Sequence, residues 1–266
     1  MVGVAQARRT PNGNINGRSW PPADAGVAVE SASVTDFQNQ IVGIVGRKGS
    51  GKSTRAATLL KYAPRILAWD PMEDHLDLLP DSYDTVCVEL DEYFEEAQTK
   101  QTFACTYVPG DNLEEDFEEI CELVYRCGRM LFVIEEAPLV CRANFMPPTF
   151  GRIVRTGRHH GIDLLWTAQR TGEVSRTLTS ATDFWIFYCQ TEPRDLDAIA
   201  ERCGRDVANQ VAGLGLHDSF CWDVIQRTVI PHSPRLLKRE IVRSREHAGD
   251  STIEKEDPGN LWNSKS

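Results

Sequence analysis

The sequence predicts an α/β fold, a mostly parallel β-sheet with helices on both faces. Short, continuously apolar runs recur through the middle of the chain, Ile41–Val45 and Met130–Ile134 among them. Strands apolar on both faces belong to parallel sheets covered on both sides. Between these runs lie stretches of helical composition or period, the alternation expected of crossover connections. Finally, the first apolar run ends in a glycine-rich turn that leads straight into a helix-like segment.

Taken in order, residues 1–36 are rich in Gly, Asn, Pro, Ala and Ser and lack apolar periodicity. They read as a flexible N-terminal arm whose charges, Arg8, Arg9 and Arg18, lean basic. Residues 37–231 read as the folded domain. Ile41–Val45 is a strand, 53–62 a helix, and Arg65–Trp69 a second strand broken by Asp70-Pro71. Further strands are expected over 85–90 and 102–108. Leu113, Phe117, Ile120 and Val124 recur at helical spacing and predict a helix over 112–127. Asn112 can cap it with Glu115 three residues on, and Gly128 can stop it. Its acidic residues Glu114, Glu115, Asp116, Glu118 and Glu119 read as a solvated face. Met130–Ile134 is the next strand, followed by a helix over 150–160, strands over 162–167 and 184–189, helices over 196–203 and 207–212, and a last strand over 220–225. Residues 232–266 form a polar, flexible C-terminal tail in which Leu261 and Trp262 could anchor a partner.

Composition bounds the function. The chain has 266 residues, with 29 Lys plus Arg against 39 Asp plus Glu and a net charge of −10. Blanket electrostatic affinity for nucleic acid is excluded, whereas a local basic strip is not. The 8 cysteines form no C-x-x-C pair and no metal-ligand spacing, so they read as small buried hydrophobes in a reducing compartment. No apolar run approaches the roughly 18 residues of a membrane helix, and residues 1–18 hold no apolar signal core. No stable membrane insertion and a cytoplasmic location are therefore expected.

The glycine-rich turn is Gly46-Arg47-Lys48-Gly49-Ser50-Gly51-Lys52-Ser53-Thr54, a complete G-x-x-x-x-G-K-[ST] phosphate loop between a strand and a helix. Gly46, Gly49 and Gly51 let the backbone wrap with its N–H groups inward, with Ser50 and Thr54 contributing to the same nest. The helix that starts there turns its positive end toward the phosphates. Lys52 supplies a point charge to the β- and γ-phosphates, and the Ser53 hydroxyl is suited to Mg²⁺. ATP with Mg²⁺ is the expected ligand.

The strand Met130–Ile134 delivers Glu135 and Glu136 at its C-terminal end, the edge where open parallel sheets bind ligands. One carboxylate is needed to hold Mg²⁺ or its water, and one to orient or deprotonate an attacking water. Glu135 takes the first role, where aspartate is the usual residue, and Glu136 the second. The alternative is that both are acids at a helix N-terminus. A water-activating acid favours hydrolysis over small-nucleotide kinase chemistry. Arg152, Arg155 and Arg158 recur every three residues and are followed by His159 and His160. The next strand ends in Ala168-Gln169-Arg170, so Gln169 lies at the phosphate-loop edge and can reach a γ-phosphate or its water. Arg158 lies at the far edge, beyond its own nucleotide but within reach of a neighbour's, the geometry of an arginine finger supplied in trans. The alternative for these arginines is surface salt bridging. His159 and His160 read as surface or packing residues.

The phosphate loop, the acid pair after an apolar strand, and the run from Gly157-Arg158 through Gly161 and an apolar strand to Gln169-Arg170 resemble the HerA/FtsK superfamily of P-loop ATPases, over about residues 41–190 and including Asp70-Pro71. The resemblance implies a RecA-like core and a hexameric, homo-oligomeric ring. It further implies Glu136 as base, Gln169 as sensor and Arg158, or Arg155, as finger. The family pumps DNA. A compact core with short tails is most like the branch that packages viral genomes, which implies double-stranded DNA bound without sequence preference, a portal or capsid-vertex protein as partner, and a location in host cytoplasm or virion. An assembly or secretion ATPase acting on protein, and a slow nucleotide-dependent switch, are the other readings.

Overall fold

The computed structural model describes residues 40–60, 63–72, 94, 97, 99, 100 and 102–230. The arm over 1–36, the tail over 232–266 and the strand expected over 85–90 lie outside the described residues. The strands are β1 (Ile41–Val45), β2 (Arg65–Trp69), β3 (Phe103–Tyr107), β4 (Met130–Ile134), β5 (Ile162–Ala168), β6 (Phe184–Tyr188), β7 (Ser219–Asp223) and β8 (Thr228–Ile230). The helices are α1 (Lys52–Leu60), α2 (Leu113–Cys127), α3 (Pro148–Thr156), α4 (Arg176–Ala181), α5 (Pro193–Cys203) and α6 (Arg205–Ala212).

The strands form one sheet of order β3-β2-β4-β5-β1-β6-β7-β8. Every pairing from β3 to β6 is parallel, and β7 and β8 close the other edge in antiparallel fashion. Alternation along each parallel strand feeds two cores. Ile41 and Val45 join the core under α2, α3, α5 and α6, whereas Val42 and Ile44 pack with Ala56, Leu59 and Leu60 of α1. This is the doubly covered parallel α/β sheet that the apolar runs predict. Gly43 is a glycine for packing reasons: it pairs with Trp166 of β5, and a Cβ there would lie 2.5 Å from the indole. β1 begins under two carboxylates, Gln40 N–H donating to Asp163 Oδ1 and Ile41 N–H to Asp183 Oδ2, each at 2.8 Å. These side chains satisfy donors at the strand start and fix β1 between β5 and β6.

Several local expectations are corrected. The helix expected over 150–160 starts earlier, with Pro148 in its first turn, and its α-geometry ends at Thr156. Gly157–His160 is a 3₁₀ turn closed by Gly161 at φ 63°, because the chain must tighten to enter β5 directly. Asn112 makes no side-chain cap to α2; its Nδ2 donates to Glu115 Oε2 at 2.8 Å instead. The acidic face of α2 is not simply solvated. Asp116 is buried and accepts Gly110 N–H at 2.6 Å, and Glu118 accepts Thr149 N–H, an orphan donor of α3, at 2.9 Å. The last strand is a hairpin: Asp223 Oδ1 accepts the N–H groups of Ile225 and Gln226, each at 2.9 Å, and the chain returns as the short, exposed β8.

The described cysteines are free thiols. Burial pushes Cys127, Cys203 and Cys221 up to about 12 and Cys141 to about 11, so they stay protonated and behave as small hydrophobes. Among the described residues no helix is long and apolar enough to cross a membrane.

Candidate functional site

The phosphate loop leaves β1 at the C-terminal edge of the parallel strands. Gly46 N–H bonds Ala168 O at 3.2 Å, which ties the loop to the end of β5. A side chain at Gly46 would meet Tyr188 Cβ at 2.4 Å, so only glycine lets the loop pass this close to β6. Gly49 and Gly51 take φ values of 75° and 102°, which curl the backbone into a nest. Tyr188 OH donates to Gly51 O at 3.2 Å, and His217 Nδ1 lies 3.4 Å from Ser50 O, so the loop is braced from β6 and from the turn before β7. α1 begins at Lys52 and carries no acidic residue in its first turn, leaving its positive end unopposed.

Lys52 is 7% exposed and its Nζ donates to Gly46 O at 2.9 Å and Arg47 O at 3.3 Å. Burial pulls its pKa down, while the nearby Glu136 and Glu135 carboxylates pull it back up. Phosphate-loop lysine and acid pair are thus within electrostatic reach of each other. Ser50 Oγ is buried and has no hydrogen-bond partner among the described residues. An orphaned hydroxyl inside a nest of N–H groups fits a phosphate oxygen.

Glu135 is 6% exposed and its N–H extends the β4–β2 pairing to Trp69 O at 3.0 Å. Glu136 sits in the left-handed region at φ 49°, ψ 58°. Its N–H donates to the buried Thr167 hydroxyl at 3.0 Å, and its Oε1 accepts from Gln169 Nε2 at 3.0 Å. Thr167 and Gln169 are alternate residues running out of β5, so one edge of that strand grips both backbone and side chain of Glu136. The sheet order explains the meeting, since β5 lies between β1, which bears the phosphate loop, and β4, which bears the acids. As for the alternative of helix N-terminal acids, Glu136 is the N-cap residue of Ala137–Leu139, a single 3₁₀ turn; its carbonyl accepts Leu139 N–H at 2.9 Å, but its carboxylate makes no cap hydrogen bond and turns to Gln169 instead.

Among the described residues no group of three His, Cys, Asp or Glu side chains could hold a metal. Mg²⁺ beside nucleotide phosphates needs no such group, since it keeps several waters and takes one or two protein oxygens. Ser53 stands in the first turn of α1 and Glu135 just past the end of β4; these are the two oxygens that the sequence offers for it.

Arg155 and Arg158 are both exposed and lie at the opposite edge, on α3 and on the 3₁₀ turn before β5. Arg152 is engaged: its guanidinium lies 4.1 Å from the Tyr125 ring centroid and 3.6 Å from Glu122. The three-residue spacing of these arginines runs across two elements, because the α-helix ends between Arg155 and Arg158. His160 packs its ring on Tyr125 at 4.0 Å, and burial lowers its pKa, as expected of a packing residue.

Four residues escape the sequence reading. Tyr188 ends β6 and Gln190 follows two residues on, much as Gln169 follows the end of β5, so a polar or amphipathic residue at or just past the end of an apolar parallel strand is the signal that would find them. Thr167 is masked by its place inside an apolar strand. His217 reaches the loop from a turn without any local pattern.

No protein-family model matches the chain. Protein P9 of Pseudoalteromonas phage PM2 is 30% identical over 151 residues, which take in 53% of this chain and 64% of that protein, under two thirds of its length. Among solved structures, the genome packaging NTPase B204 of Sulfolobus turreted icosahedral virus 2 in complex with AMPPCP is 21% identical, with a TM-score of 0.61 over 74% of this chain and 98% of B204. Its complex with ATP-gammaS gives 21% identity and a TM-score of 0.60 over 75% of this chain and 99% of B204. B204 described as the DNA-packaging ATPase of Sulfolobus turreted icosahedral virus gives 20% identity and a TM-score of 0.57 over 74% and 98%. The resemblance carried by the phosphate loop and the Arg…Gln strand thus extends to the architecture of the whole core: the chain has the P-loop NTPase fold of the viral genome packaging NTPase B204.

Proposed function

We propose that this protein hydrolyses ATP, with Mg²⁺, to drive double-stranded viral or mobile-element DNA through a homo-oligomeric ring, a hexamer on the family pattern, in genome packaging. The observation that carries the reading is the contact between Glu136 and Gln169 beside Lys52. A carboxylate restrained by an amide, next to a phosphate-binding lysine, suits the activation and placement of a water. The phosphate-loop N–H groups and Lys52 hold the β- and γ-phosphates. Ser53 and Glu135 would hold Mg²⁺, which would offset charge on the phosphate oxygens. Glu136 takes the proton of the attacking water, and Gln169 orients water or γ-phosphate. Arg158, with Arg155 as the alternate, serves the neighbouring subunit's site. The fold shared with B204, a genome packaging NTPase, supports packaging as the use. A portal or capsid-vertex protein would then be the docking partner in the host cytoplasm or virion.

The test is the ATPase rate with and without double-stranded DNA, read with native mass. A ring whose turnover rises on unrelated duplexes, and whose DNA affinity falls steeply with salt through loss of phosphate contacts, is the expected result. Turnover indifferent to DNA in an assembled ring would reject the DNA motor and favour a secretion ATPase or a switch.

A further inference from the structure

We propose that Gln190, buried just past the end of β6, is a positioning residue for hydrolysis that acts through Gln169. The inference rests on the hydrolytic reading above. The side chain of Gln169 is exposed where it meets Glu136, so its aim depends on where its backbone stands. That backbone is held from the next strand but one. Gln190 is 2% exposed, and its Nε2 donates to Gln169 O at 2.8 Å while its Oε1 lies 3.5 Å from the hydroxyl of Thr171, itself buried. Asp195, in the first turn of α5 and 2% exposed, continues the clamp. Its Oδ2 accepts Arg170 Nε at 3.0 Å and its Oδ1 accepts Gly172 N–H at 2.9 Å. Residues 169–172 are therefore gripped at successive positions by two buried side chains, Gln190 just past β6 and Asp195 in the first turn of α5.

Burial makes this clamp specific. A primary amide with so little exposure to water favours the orientation that satisfies its N–H and C=O groups, so Gln190 sets the Gln169 carbonyl, and with it the strand end, to a narrow range. It also borders a cavity of about 270 Å³ shared by Gln169, Gln190, Asp195, Arg47 and Lys48, which joins the clamp to the outer side of the phosphate loop. Gln190 does not touch the Glu136 carboxylate; its influence passes through the Gln169 main chain. Misplacement of a reacting group by about 1 Å can cost on the order of 10²-fold in rate without weakening ground-state binding.

The experiment is a double-mutant cycle in the full chain. Gln190→Met keeps the length of the side chain and removes the amide. It should lower kcat roughly 10- to 100-fold with the KM for ATP little changed, and cost nothing further in a Gln169→Ala background, because the group it positions is gone. The Gln169 side-chain amide NMR signal should also move in Gln190→Met toward that of a freely hydrated amide, with no nucleotide present. Should Gln190→Met fail to fold, Gln190→Glu serves. Ionised, its carboxylate repels Gln169 O; protonated, it can donate again, so its kcat should recover toward the parent's as pH falls. Equal losses in both backgrounds, a loss confined to KM, or an unmoved Gln169 signal would overturn the inference while leaving the hydrolytic reading standing. A parent protein without ATP turnover, or a Gln169→Ala variant as fast as the parent, would instead bring down the hydrolytic or sensor reading and this inference with it.

Discussion

Gln169 Nε2 donates to Glu136 Oε1 at 3.0 Å, joining the ends of two adjacent parallel strands. The amide occupies one carboxylate oxygen and leaves the other to accept from a water. The proposed base and the proposed sensor are therefore already in contact with each other.

Glu136→Gln should bind ATP with Mg²⁺ and hydrolyse it roughly 10²- to 10⁴-fold more slowly, the usual contribution of a general base. Glu135→Gln should instead weaken the dependence on Mg²⁺. Titration of nucleotide affinity alongside single-turnover rates separates the two roles. Parent-like turnover in Glu136→Gln would place the base elsewhere.

The left-handed backbone of Glu136 makes a second, independent expectation. A non-glycine residue there costs about 1–2 kcal/mol, offset in part by the Thr167 hydroxyl that accepts its N–H. Glu136→Gly and Glu136→Ala both delete the carboxylate and differ in the backbone alone. The glycine variant should be the more stable by about 1 kcal/mol, seen as a higher Tm, while both are inactive. Equal melting temperatures would mean that the conformation carries no strain.

Lys52 gives a pH prediction. Burial holds its pKa below the ordinary 10.5, and Glu136 and Glu135 oppose that. ATP binds the charged form, so affinity is full below the lowered pKa of the free protein and falls as pH rises through it. In Glu136→Gln one opposing charge is gone, the pKa drops further, and the fall in affinity should begin at lower pH. Binding of a fluorescent ATP analogue across pH measures the midpoint, and an unmoved midpoint would separate Glu136 from Lys52 electrically.

The parts of this site legible in the sequence are those held by local chemistry. The phosphate loop reads directly, because its glycines, lysine and serine act within one turn. Glu136 and Gln169 read through a topological rule, the C-terminal edge of parallel strands. Thr167, Tyr188, Gln190 and His217 do not, because their partners are backbone atoms 31, 137, 21 and 167 residues away. The antiparallel β8 is hidden for a different reason: it is short and exposed, so it carries no apolar signature. The burial of Asp116 within the acidic face of α2 is hidden as well, because the Gly110 N–H that it accepts belongs to the loop before the helix.

Arg158 carries the last prediction. It stands before β5 and Gln169 stands after it, so the seven-residue strand separates them by roughly 20 Å. An arginine side chain cannot span that distance within one subunit. Exposed at the far edge, it is free to enter a neighbour's site if the subunits close into a ring. Arg158→Ala should then keep nucleotide binding and lose turnover by a factor on the order of 10³ or more. The defect should be complemented by a second dead variant, Lys52→Ala, which retains Arg158. Mixed rings contain interfaces that pair an intact phosphate loop with an intact finger, and those interfaces should hydrolyse ATP. Arg155→Ala, mixed in the same way, decides between the two arginines, which stand on different elements. If mixing restores nothing under conditions where native mass shows a ring, the shared site fails, and this edge is a salt-bridged or DNA-contacting surface instead.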